Sequence, residues 1–160
     1  MSFEDEAHFA ANLAYKMFAE EGQLLPTLIG FAGDRVYRAQ FKGRGEEVNV
    51  PLAVATLRAI EADRYAFAYE GSLATPGTTT KRRQRDGIFV ITADRHRSEV
   101  RLYPFERDDQ GQVQRLTDPE RFTLFGPLTK LLSLDTVADE EVDSLQPQVR
   151  KLLRDVLDED

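Results

Sequence analysis

The sequence predicts an α+β fold: a largely antiparallel sheet of five to six strands with helices packed on one side, in the order α-ββ-α-ββββ-α. Three observations carry that expectation. Apolar residues recur at helical spacing near both ends of the chain and once in between. Alternating or β-branched runs, separated by short turns rich in Gly and Asp, fill the remainder. One strand carries small residues on one face, which leaves room for a helix to approach.

The first helix is expected over residues 3–21. Ser2 is placed to cap it, and Glu4, Asp5 and Glu6 suit the positive end of the helix dipole. Phe3, Ala10, Leu13, Ala14, Met17 and Phe18 form one apolar face, and Gly22 ends the element. Two strand-like runs, 24–32 and 35–42, flank Gly33-Asp34, which is the pattern of a β-hairpin. Pro26 has no backbone donor, so it puts the first run at an edge or delays its start. Residues 43–47 read as a loop. A second helix is expected over 51–63, with Pro51 in its first turn and Ala53, Leu57 and Ile60 on one face.

The period then falls to two. Tyr65, Phe67 and Tyr69 point one way, and Ala66, Ala68 and Glu70 the other. After a polar loop over 75–86, the unbroken run Ile88-Phe89-Val90-Ile91 implies burial on both faces and a central strand over 88–93. Turns at 94–97 and 108–111 frame a strand over 98–105 and its return over 112–116, and 121–125 adds a short strand. Gly126-Pro127 breaks the chain before a short helix over 128–134. Leu145, Val149, Leu152, Leu153 and Val156 mark one face of a final helix, with Pro147 in its first turn.

A chain of 160 residues suits one globular domain, 1–160, and buries roughly two-thirds of its unfolded surface. The net charge of −7 and pI near 5.0 argue against general binding to DNA or anionic membranes. With no cysteine, disulfides, thiolate metal sites and thiol nucleophiles are excluded. The acidic N-terminus is unlike a secretory signal, and no run approaches the ~20 apolar residues of a membrane span. A cytoplasmic location is the expectation.

No phosphate-loop or dinucleotide fingerprint occurs, and Gly43-Arg44-Gly45 is too short to replace one. The two histidines, His8 and His96, fall in different elements. The acidic run at 139–143 lacks the spacing and glycine of a calcium loop. Neither a metal nor a cofactor is expected. Ser72 lies in Glu-Gly-Ser-Leu-Ala, which is not a nucleophile elbow.

Two features remain as candidate sites. Glu70 shares a strand face with alanines, so a helix packed there strips water from its carboxylate. It either pairs with a cation, Arg83 or Arg85 being nearest if 65–74 pairs with 86–93, or faces a pocket as an acid, base or polar anchor. The second feature is the basic loop Lys81, Arg82, Arg83 and Arg85. Residues 81–107 hold eight cations and four anions, whereas 135–160 hold nine anions and three cations and 1–21 hold five acids and one lysine. A basic middle therefore lies between acidic ends. That split favours contact within the molecule, with a second copy or with another protein.

The segments LLPTLIGFAGDRVY, ADRYAFAYEGSL and RDGIFVITADR follow one another across residues 24–95. In this order the chain resembles small uncharacterised bacterial proteins of unknown function, and the resemblance implies no activity. The expected function is that of a small binding or accessory domain with a protein partner or a homodimer. The alternatives are a metal-independent enzyme, with Glu70 as acid or base and Arg82, Arg83 or Arg85 holding an anionic substrate, and a nucleic-acid factor using 81–107. The last is disfavoured because no recognised nucleic-acid module accompanies Tyr103 and Phe105.

Overall fold

A computed structural model describes residues 2–42, 45–74, 84–116, 118–133 and 137–156, apart from the side chains of residues 73, 74, 84 and 85. It is a mixed α+β fold built on a large antiparallel sheet. Helix α1 (Phe3–Glu21) leads into the hairpin β1 (Thr27–Ala32) and β2 (Arg35–Gln40). Helix α2 (Glu46–Ala59) precedes β3 (Arg64–Ala74), β4 (Gln84–Ala93) and β5 (Ser98–Arg107). The short strands β6 (Val113–Arg115) and β7 (Glu120–Phe122) follow, then a 3-10 turn at Pro127–Thr129. Helices α3 (Asp139–Ser144) and α4 (Gln146–Leu152) lead to β8 (Arg154–Asp155). The strands lie in the order β6-β5-β4-β3-β1-β2-β8, with β7 also pairing with β5.

The first helix forms as its sequence dictates. The Ser2 hydroxyl accepts from the Asp5 N–H at 3.1 Å, and the Asp5 carboxylate accepts from the Ser2 N–H at 3.2 Å. These two bonds make a capping box; donation to the Asp5 carboxylate by the Ser2 N–H, and by the Ser2 hydroxyl at 3.0 Å, holds that carboxyl below its ordinary range. At the other end Gly22 adopts φ 75 and its N–H bonds the Phe18 carbonyl at 2.9 Å. In the β1–β2 hairpin, Gly33 takes φ 62 at the first position of the two-residue turn.

The strand alternation is realised as two cores. Ala66 and Ala68 of β3 lie with Ile88 and Val90 of β4 against the alanine-rich face of α1. The small side chains of Ala7, Ala10, Ala11 and Ala14 on α1 meet Ala66 and Ala68 in this layer. Tyr65 and Phe67 lie on the opposite face with Ile91, Ala53, Leu57, Val142 and Val149. That face is covered by α2, α3 and α4.

Helices therefore cover both faces, not one. The reason lies in β4, where Ile88 and Val90 face α1 while Phe89 and Ile91 face α2, so either bare face would expose apolar surface. The sheet also holds eight strands among the described residues, not five to six, and the element order differs accordingly. One of the added strands comes from the C-terminal segment, which is not one helix. Leu145 separates α3 from α4, Pro147 sits in the first turn of α4, and the chain then straightens. Arg154 and Asp155 pair with Arg38 and Tyr37, covering an edge of β2 that would otherwise lack a partner. Helix α2 begins at Glu46, so Pro51 lies inside it instead of in its first turn. The missing Pro51 N–H frees the Glu47 carbonyl, and residue 47 is exposed enough for water to replace that bond.

One charged group is buried beneath α1. Glu6 is almost wholly buried and forms an ion pair with Arg64 at the start of β3. The Arg64 and Arg97 guanidinium groups lie over the Phe3 ring at 4.8 and 4.6 Å from its centroid. Burial outweighs the attraction of Arg64 and raises the carboxyl from 4.5 to about 7. A carboxyl with a raised folded-state pKa contributes stability that is full below its unfolded pKa and disappears as pH rises through the folded one. Wild-type stability relative to Glu6→Gln is accordingly expected to fall as pH rises from 4.5 through 7, by roughly 3 kcal/mol at most. Urea denaturation of both proteins across that range checks this, and parallel pH profiles would refute it.

Candidate functional site: a cleft at the open end of β3

Strand β3 has eleven residues but unequal neighbours. β4 runs beside it as far as Ala74↔Gln84. β1 pairs with it only from Phe31↔Arg64 to Thr27↔Ala68. Past Ala68 the pairing with β1 ends, and Pro26 bonds only towards the β2 side, its carbonyl accepting from the Phe41 N–H at 2.8 Å. Among the described residues, no strand pairs with the β1-side edge of residues 69–74.

A cleft of about 640 Å³ lies against this open edge. Leu24 and Pro26 close one end, the start of α2 with Gly45, Glu46 and Asn49 forms a second side, and residues 124–129 form a third. Phe67 and Tyr69 line its apolar part. They belong to a ladder of rings in which Phe41–Phe67, Phe67–Tyr69 and Tyr69–Phe89 centroids are 6.1, 6.1 and 5.4 Å apart. Gly71 makes room for the ladder, because a Cβ there would come within 2.8 Å of the Phe89 ring. Burial raises the Tyr69 hydroxyl pKa, and the nearby Glu46 carboxylate adds to the effect. At the mouth, Phe125 is 89% exposed, with Leu124 beside it.

The wall at 124–129 is held by Tyr65. This ring is fully buried, and its hydroxyl donates to the Leu128 carbonyl at 2.7 Å while accepting from the Leu131 N–H at 3.0 Å. Burial pushes that phenol well above its ordinary pKa. Asn49 is the polar group that stands out. It is only 7% exposed and lines the cleft.

Glu70 does line the cleft. Among the described residues its partner is Arg107, at 3.0 Å. The Arg107 guanidinium also lies over the Phe18 and Phe105 rings, 5.2 and 5.6 Å from their centroids. It reaches Glu70 from two strands away, a placement that sequence proximity did not indicate. Lys81, Arg82 and Arg83 lie outside the described residues, as does the Arg85 side chain. The described cations of the basic middle are engaged locally. Arg95 donates to the Leu132 carbonyl, Arg97 covers Phe3, and Arg101 pairs with Glu99 at 2.9 Å.

His8 is half-exposed, with Nδ1 2.8 Å from the Tyr103 hydroxyl. Burial pushes that phenol up to about 12. His96 follows Asp94, whose carboxylate accepts from the His96 and Arg97 N–H groups at 2.7 and 2.9 Å. Ser72 donates to Asp86 at 2.7 Å, with no histidine in the pair. Among the described residues no cluster of metal-ligating side chains occurs, and no helix is long and apolar enough to cross a membrane. Sequence reasoning found Glu70 but missed Asn49, Tyr65 and residues 124–128. The buried side of α2 carried a signal for Asn49, a polar residue one position before an apolar run.

Replacing Tyr65 with Phe leaves the Leu128 carbonyl and Leu131 N–H buried without this partner, which should cost about 2 kcal/mol. Thermal denaturation checks the loss, and hydrogen exchange should show faster opening confined first to residues 126–133. Comparison with protein-family models, curated proteins and solved structures found no match to this chain.

Proposed function

We propose that this chain is a binding module without catalytic activity of its own, and that its ligand sits in the cleft at the open end of β3. The observation that carries this reading is Asn49. This polar side chain, largely buried, lines a cleft of about 640 Å³ together with Phe67 and Tyr69. Apolar walls with a few fixed polar groups are the usual make-up of a ligand site. The exposed Phe125 and Leu124 extend the apolar surface beyond the mouth.

The acid–base role for Glu70 has its place on the cleft in its favour. Its ion pair with Arg107 favours anchoring over proton transfer, because the guanidinium occupies one carboxylate oxygen. The nucleic-acid reading has less support, since Arg95, Arg97, Arg101 and Arg107 are held by groups of the same molecule.

Asn49→Leu separates binding from folding. The variant keeps the side-chain size and removes the amide, so its stability should change little while ligand binding weakens by about tenfold, the worth of a hydrogen bond near 1.4 kcal/mol. A screen of amphipathic fragments by thermal shift and amide NMR supplies the ligands. Hits should perturb Asn49, Tyr69 and Leu128 together. A screen in which no compound perturbs those amides would remove the basis of the proposal.

A further inference from the structure

We infer that the cleft takes an extended polypeptide segment of a partner protein, which adds to the sheet as a strand antiparallel to β3 and in line with β1. This rests on the binding reading and specifies its ligand class. The first ground is geometric. The cleft abuts Glu70, Gly71 and Ser72 on the side where β1 has ended, and Leu24 and Pro26 mark where β1 would have continued. A strand entering there lies on the axis that β1 vacates.

The second ground is hydrogen bonding. Residues 69–74 keep their β4 partners on one edge. On the other edge, alternate residues present N–H and C=O groups that no strand among the described residues takes up. A ligand that satisfies such a row must carry its own peptide groups at strand spacing, as an extended chain does. Six residues at ~3.3 Å each give a pairing length of about 20 Å, the usual length of one strand.

The third ground is the side-chain environment. A strand's side chains alternate, so every second one would meet Phe67, Tyr69 and Leu128, and the rest would face the Leu24 side. Asn49 offers both a donor and an acceptor, the complement of a peptide group. The charged residues lining the cleft among those described are Glu46 and Glu70, and Arg107 neutralises Glu70. Glu46 therefore selects a segment carrying lysine or arginine beside its apolar residues.

The test uses the full chain and a display library of random twelve-residue peptides, with enriched peptides then synthesised. Enriched sequences are expected to place apolar residues at every second position with a lysine or arginine among them. N-methylation at alternate positions should weaken binding by about tenfold or more, whereas the intervening positions should change it by less than about twofold, because only alternate amides face β3. Amide exchange at alternate residues of 69–74 should slow on binding, and Asn49→Leu should weaken the same peptides. Peptides indifferent to the register of N-methylation, or an absence of enrichment, would overturn strand addition. So would protection of 69–74 by self-association of the protein without peptide, which makes a second copy the occupant. If fragments occupy the cleft while peptides fail, strand addition falls and the binding reading stands. If fragments and peptides both fail, the two fall together.

Discussion

Both layers of this protein depend on the unequal faces of β3. Alanines on one face let the alanine-rich side of α1 lie close to the sheet, and aromatics on the other build a ring ladder beneath α2. Neither face would tolerate the other's side chains. A ring in place of Ala66 or Ala68 would drive α1 away, and an alanine in place of Phe67 would leave a cavity next to Phe41. The strand also sets the cleft. Its Tyr65 hydroxyl fixes the chain near Leu128, while its far end outruns β1.

An unpaired strand edge is usually a liability, because it invites association with other chains. This protein covers one such edge with β8, two residues long, at β2. At the end of β3 it builds a cleft lined by Asn49 and aromatic side chains instead. The contrast between a covered edge and a lined one is what the proposed binding role of the β3 end rests on.

The uneven distribution of charge is largely resolved within the molecule. Arg58 meets Asp139 at 3.0 Å, Arg121 and Arg101 share Glu99, and Arg107 holds Glu70. Exposed pairs such as Arg58–Asp139 contribute little to stability, commonly under about 1 kcal/mol. Their use is positional. They tie the acidic start of α3 to α2, and the far end of β5 to β3.

Local pattern alone determined the first helix, the hairpin at Gly33-Asp34, the two faces of residues 65–70 and the central place of 88–91. Each of these follows from side-chain periodicity or cap chemistry that acts over a few residues. The same pattern identified Glu70 as a carboxylate needing a cation. It did not identify that cation, because Arg107 is 37 positions away and arrives only when β5 pairs with β4. Tertiary structure alone decided that helices cover both faces, that the C-terminal segment ends as a strand on β2, and that β3 extends beyond β1. These outcomes depend on which apolar faces and unpaired backbone groups are left over once the sheet has formed, and that remainder is a property of the assembled sheet, not of any single segment.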